Sequence, residues 1–131
     1  MQKNLNINVS VVGVIVLAIL LIGGLSYWIW YDANQPGQYD TLAQCIASSG
    51  AKFYGAFWCP HCQNQKAIFG KSAKYLPYIE CSTPDGRGQL QVCIDKGVVT
   101  YPTWYFPDNS SSTGEIPLTT LAEKTSCALS Q

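Results

Sequence analysis

Charge is what this sequence has least of. Charged side chains make up 12% of its 131 residues, eight basic against eight acidic with a formal net charge of zero, and they stand singly rather than in runs. Without a basic stripe there is no electrostatic footprint for nucleic acid, and without an acidic block there is no solvating tail. Internal repeats are absent as well, which sets aside stacked-repeat architectures. What remains is room for one domain of about 100 residues with an appendage.

The longest stretch without charge lies between Lys3 and Asp32. Within it, Val9 to Tyr31 reads VSVVGVIVLAILLIGGLSYWIWY. As a helix it spans roughly 34 Å, more than the roughly 30 Å of a bilayer's hydrocarbon core. Tyr27, Trp28, Trp30 and Tyr31 crowd one end, where an aromatic belt meets the interface. A secretory signal has a shorter apolar core, about 7–15 residues, and a small-residue cleavage site. The sequence WYDANQPG that follows offers no such site. Residues 1–31 therefore read as a tail and an uncleaved single-pass transmembrane anchor. Lys3 precedes the span and no Lys or Arg follows it until Lys52, so the positive-inside bias puts the N-terminus in the cytoplasm and the remainder outside. Six cysteines agree, because stable disulfides belong to oxidising compartments.

Residues 32–39, DANQPGQY, form a polar linker with a Pro-Gly turn signal, and residues 40–131 form the domain. Asp40 is the expected N-cap of a helix through about Ser48, closed by Gly50. Ala51–Trp58, rich in aromatics, is the expected central strand. Pro60 suits the first turn of a helix reaching Leu76, with Gly70 its weak point. A short strand follows at Tyr78–Cys81, then a loop and a helix over Leu90–Lys96 stopped by Gly97. Thr103–Phe106 reads as a strand, Pro107–Gly114 as a turn, and Glu115–Ile116 as a weak strand. Leu118–Thr125 closes the chain as a helix, with Thr120 and Glu123 at capping-box spacing. The class is α/β, a four-stranded mixed sheet flanked by helices.

The chemistry gathers at FWCPHC, Phe57–Cys62, which holds the only histidine. A thiolate is the nucleophile of disulfide exchange, and a helix N-terminus favours it through unpaired N–H groups and the positive dipole end. Cys59, just before Pro60, occupies that place. Cys62, one turn on, is near enough to resolve a mixed disulfide by attacking Cys59. His61 adds a donor, or a positive charge when protonated. A pair starting a helix with Pro-His inside is seldom an inert structural disulfide. A structural zinc site wants four closed ligands, and Gln63 stands where a haem-attachment site needs His. No metal and no cofactor is expected.

Phe57-Trp58-Cys59-Pro60-His61-Cys62, together with Tyr101-Pro102-Thr103 further on, resembles the thioredoxin superfamily. The resemblance implies a thioredoxin-like fold with Pro102 held cis facing the active cysteines, and a loop there that pairs with extended substrate. Cys59, Cys62, His61 and Pro60 are then the catalytic residues, and Trp58, Tyr101 and Pro102 the substrate-binding ones. CPHCQNQKAIFGKSAKYLPYIEC, residues 59–81, followed by Cys93 and YPTW, is similar to the thioredoxin-like domains fused to, or working with, bacterial homologues of vitamin K epoxide reductase. That likeness implies exchange of electrons with a membrane quinone reductase. The four other cysteines allow three pairings; the likeness implies a structural disulfide Cys81–Cys93, which leaves Cys45 with Cys127. The sequence departs from thioredoxins at Phe53, where they carry a buried acid, and at Ala67, where they carry proline.

The expectation is a membrane-tethered, extracytoplasmic oxidoreductase that passes a Cys59–Cys62 disulfide to protein thiols. A tethered thiol reductant and a metal carrier are the alternatives. For Trp58 packing is the plainer role, Tyr101 and Trp104 read as half core and half groove, and Lys66, Lys71 and Lys74 as a solvated helix face.

Overall fold

Phe53 and Trp104 set the centre of the sheet. Their rings stack with centroids 4.6 Å apart and planes 4° from parallel, and both are fully buried. They are register partners across two antiparallel strands, β1 (Lys52–Gly55) and β3 (Thr103–Tyr105). The computed structural model describes residues 8–129. Lys3, on which the expected orientation rests, lies outside the described residues.

β1 also pairs in parallel with β2 (Tyr78–Glu80), and β3 pairs antiparallel with β4 (Ser111–Thr113). The order is β2-β1-β3-β4, a four-stranded mixed sheet. Parallel neighbours need a crossover, supplied here by α3 (Pro60–Ala67) and a 3-10 helix, Gly70–Tyr75. Gly70 at φ +54 divides the two, so the long helix expected through Leu76 ends at Ala67. The last strand is four residues earlier than expected. Asn109 at φ 64 and the bond from Phe106 N–H to the Ser110 carbonyl (2.9 Å) reverse the chain sooner, and Ser111–Thr113 rather than Glu115–Ile116 makes the strand.

Side chains alternate along a strand, so the two sheet faces carry different cores. Phe53, Trp104 and Phe106 share one face with Leu42, Ala43 and Ile46 of α2 (Asp40–Ser48), with Leu121 and Ala122 of α5 (Leu118–Thr125), and with Cys59 and Cys62. Tyr54 points the other way, into a smaller cluster with Cys81, Cys93 and Val98 beside α4 (Gln91–Asp95). Trp104 is therefore core throughout, not half groove. Two disulfides bind these layers, Cys45–Cys127 between α2 and the chain after α5, and Cys81–Cys93 between the end of β2 and α4.

Two expected helix caps are different. Tyr39 is the N-cap of α2, and Asp40, already inside the helix, turns back to accept from Gly37 N–H at 3.0 Å. Pro117 is the N-cap of α5, which starts at Leu118 as expected; Thr120 therefore lies within the helix and the Thr120/Glu123 spacing is a coincidence.

The chain divides between Gln35 and Pro36 into two units. In the first, α1 (Val9–Ala33) is a 25-residue helix with no buried residue and a window of mean hydropathy 2.7. At 1.5 Å per residue it is about 37 Å long, enough to cross a bilayer. The Ser26 hydroxyl donates to the Ile22 carbonyl at 2.7 Å, so this polar group is satisfied within the helix.

Candidate functional site

The two cysteines of FWCPHC are free thiols, both buried. Cys59 has extended backbone, φ −78 and ψ 118, and caps α3, while Pro60 fills the first turn, where its missing N–H costs nothing. The Cys59 sulfur accepts the Cys62 backbone N–H at 3.3 Å. A helix N-terminus thus points a donor and the positive dipole end at this sulfur.

Cys62 lies against β1. A Cβ on Gly55 would stand 2.9 Å from the Cys62 sulfur and 2.8 Å from Tyr78 Cε2, so only glycine leaves room for both. Burial first, and the neighbouring Cys59 second, push the Cys62 thiol up to about 12. The two sulfurs are therefore unequal. Cys59 receives a backbone donor, and burial holds the proton on Cys62.

Opposite the pair, the Cys59 sulfur is 3.7 Å from the Tyr101 carbonyl, to which its S–H donates. The Tyr101–Pro102 peptide bond is cis. Pro102 itself is buried, so Tyr101 is the accessible part of this turn. Trp58 is half exposed, meets the Tyr101 ring edge-on at 6.0 Å and donates its indole N–H to Ser82 Oγ at 2.8 Å. Cys59, Cys62, Trp58 and Tyr101 thus converge, with Pro60 exposed in the first turn of α3.

His61 goes elsewhere. Its imidazole is largely exposed and donates from Nδ1 to Glu115 Oε1 at 2.7 Å. Asn64 Nδ2 adds a second bond to the same oxygen at 3.2 Å, and these two partners hold the Glu115 carboxyl below its ordinary value. Glu115 is brought there by Gln65, fully buried on α3, which accepts from Ile116 N–H at 2.6 Å and donates to the Ile116 carbonyl at 3.0 Å.

The carboxylate beside the motif comes from β2. Glu80 Oε1 accepts from Phe57 N–H at 3.2 Å and Ser82 N–H at 2.8 Å, and Oε2 accepts from the Tyr78 hydroxyl at 2.8 Å. Burial and that bond to Glu80 raise Tyr78 above its ordinary range. Lys66 is not a freely solvated residue. Its ammonium sits 3.2 Å from the centre of the Tyr78 ring, where burial lowers its proton affinity against the opposing pull of Glu80 and Cys62. Sequence reasoning placed no role on Glu80, Tyr78, Gln65 or Glu115.

No family model matches the chain. It is 47% identical over 95 residues to the Thiol-disulfide oxidoreductase LTO1 of Arabidopsis thaliana, across 69% of this chain and 25% of that protein. It is 32% identical over 87 residues to the Thioredoxin domain-containing protein 5 homolog of Drosophila melanogaster, across 58% of this chain and 20% of that protein. The chain thus spans a quarter or less of the length of either relative.

Proposed function

We propose that this chain is a thioredoxin-like thiol–disulfide oxidoreductase, anchored by α1 with its redox domain outside the cytoplasm, that forms disulfides in client proteins. The observation that carries this is the asymmetric cysteine pair, with Cys59 at the helix N-terminus and Cys62 buried behind it. The names of both relatives support the same chemistry.

In the oxidised enzyme a client thiolate attacks the Cys59 sulfur of the Cys59–Cys62 disulfide. A client–Cys59 bond forms, and Cys62 leaves as a thiolate that takes up a proton, as its high proton affinity favours. The second client thiolate then attacks the client sulfur of the mixed disulfide and expels Cys59 as a thiolate. The client loses two electrons and the pair gains them. Cys59 is the better leaving group because the Cys62 N–H and the α3 dipole receive its charge. A reduced form stabilised in this way makes the disulfide an oxidant. Trp58 and Tyr101 form the wall along which the client lies, and His61, exposed at the first turn, adds a cation when protonated.

Regeneration falls to a membrane quinone reductase related to vitamin K epoxide reductase, which takes two electrons from the Cys59/Cys62 dithiol. A shared membrane raises the effective concentration of the two proteins for each other. The test is trapping in cells with Cys62→Ala, which removes the attack of Cys62 on mixed disulfides at Cys59 and so leaves partners bonded there for longer. Exported clients together with a multispanning quinone reductase support the reading, and cytochrome-maturation proteins overturn it. A reduction potential near about −120 mV agrees with an oxidase, and one near about −270 mV with a reductant.

A further inference from the structure

A cleft of about 440 Å³ opens beside the cysteine pair, between Trp58 and Tyr101 on one side and the 86–89 loop with Val98 and Val99 on the other. Its size lies within the roughly 300–1,000 Å³ of ligand-binding clefts. Its walls are held in place by polar bonds. The Trp58 indole is tied to Ser82. The Gln89 amide donates to the Tyr101 hydroxyl and to the Val98 carbonyl, each at 2.7 Å. Ser82 and Gln89 bridge the base of the loop, and the Cys81–Cys93 disulfide closes it just outside. Gly86 holds the loop at φ +72, a conformation that favours glycine, and lies in contact range of the indole, a Cβ there standing 3.6 Å from Trp58 Cδ1.

Two features of the lining lack a counterpart. Val99 is 92% exposed and lines the cleft with the half-exposed Trp58, so an apolar surface faces water there. Arg87 is the only charged residue of the lining. Among the described residues no carboxylate is in ion-pair contact with its guanidinium. The nearest acid in sequence, Asp85, is turned into the loop, where its Oδ1 accepts from the Thr83 hydroxyl and the Arg87 backbone N–H.

We infer that this cleft is a client-selecting subsite that takes an apolar side chain paired with an acidic one, flanking the client cysteine that attacks Cys59. The inference rests on the oxidoreductase reading above and names its substrate class. The apolar side chain covers Val99 and the Trp58 face, and the carboxylate meets Arg87. Because the walls are fixed before binding, little ordering cost opposes the contact.

The test uses the full chain in detergent micelles, first oxidised at Cys59–Cys62. It is mixed with two-cysteine peptides that differ only beside one cysteine, Leu-Glu against Leu-Lys, placed before or after it. Each reaction moves two electrons from the peptide dithiol to the protein disulfide, and the second-order rate constant is read by quenching and mass spectrometry. The Leu-Glu peptide should react about fivefold faster at low ionic strength, the size of one exposed ion pair, with the ratio falling as salt rises. Arg87→Glu should reverse the ratio and Arg87→Lys should keep it. A ratio of one in the parent chain, or one that Arg87→Glu leaves unchanged, overturns the inference. So does a second copy of the chain filling the cleft, seen as rates that fall with self-association. Dithiothreitol separates the two levels. If it is oxidised while peptides are not discriminated, the subsite fails and the oxidoreductase reading stands; if no dithiol is oxidised, both fail.

Discussion

Replacing Gln65 with methionine tests how the active helix is tied to the chain beyond β4. Gln65 is fully buried, and its amide satisfies both the N–H and the carbonyl of Ile116. Methionine is close in volume, so no cavity opens and packing changes little. Two buried backbone groups lose their partners, each at about 1–3 kcal/mol, and burying a thioether in place of an amide returns part of that. The net loss should be about 3 kcal/mol, a large share of the roughly 5–15 kcal/mol that holds a domain together. With a urea slope of about 1–3 kcal/mol per molar, the unfolding midpoint should fall by about 1–3 M. The assay is urea unfolding of the full chain in mild detergent with disulfides intact, followed by tryptophan fluorescence. Gln91→Met, at an exposed amide bonded to Asp95, is the control and should stay within about 0.5 kcal/mol of the parent. A second readout comes from His61, the only histidine. Loosening Ile116 frees its neighbour Glu115, so the imidazole resonances should move toward those of an unpaired histidine. A Gln65→Met midpoint no lower than that of Gln91→Met would refute the reasoning.

The two disulfides should separate stability from selection. Cys45–Cys127 closes a separation of 82 residues and Cys81–Cys93 one of 12, which chain entropy converts to about 4.5 and about 3 kcal/mol. Urea midpoints should therefore fall further in Cys45→Ala/Cys127→Ala, whereas the Leu-Glu to Leu-Lys rate ratio should change in Cys81→Ala/Cys93→Ala, whose loop carries Ser82, Arg87 and Gln89. The Cys62 thiol, raised from 9.0 to about 12 in the folded chain, gives a pH signature. The unfolded chain releases this proton at lower pH than the folded one, so its contribution is intact below about pH 9 and is lost as pH rises toward about 12. Urea titrations should show the reduced form weakening across that window relative to the oxidised form, in which Cys62 does not titrate; parallel curves for the two forms would contradict the assignment.

What could be read from the sequence was local. Pro60 after Cys59 announces a helix start, and the structure has Cys59 as the cap with Pro60 in the first turn. Gly50, Gly97 and Gly70 each take a positive φ where a helix stops or breaks, because glycine alone enters that region without a Cβ penalty. The same local rules misled where a tertiary partner was stronger. Asp40 has the right chemistry for a cap, yet Gly37 N–H claims its carboxylate. Thr120 and Glu123 have capping-box spacing, yet the helix begins at Leu118 as expected with Pro117 as its N-cap, and Thr120 lies inside it. Lys66 on a polar helix surface reads as solvated until the β1–α3–β2 crossover brings Tyr78 beneath it.

The largest gap concerns charge near the cysteines, and it changes how the motif works. Phe53 occupies the place where thioredoxins keep an acid, which from sequence alone leaves the pair without a carboxylate. Glu80 fills that want from the adjacent parallel strand, but its oxygens are already engaged by Phe57 N–H, Ser82 N–H and the Tyr78 hydroxyl. A carboxylate so bound braces the segment entering FWCPHC. His61 and Glu115 are 54 residues apart in sequence, and no spacing rule connects them. Their contact divides the histidine's influence, since any charge on the ring is shared with a carboxylate on the exposed side of the helix. The backbone N–H of Cys62 has no such competitor, and it is the Cys59 sulfur alone that receives it at the helix start. The asymmetry between the two sulfurs therefore follows from the helix N-terminus and the burial of Cys62, with the Pro-His dipeptide serving to start α3 and to anchor the Glu115 segment.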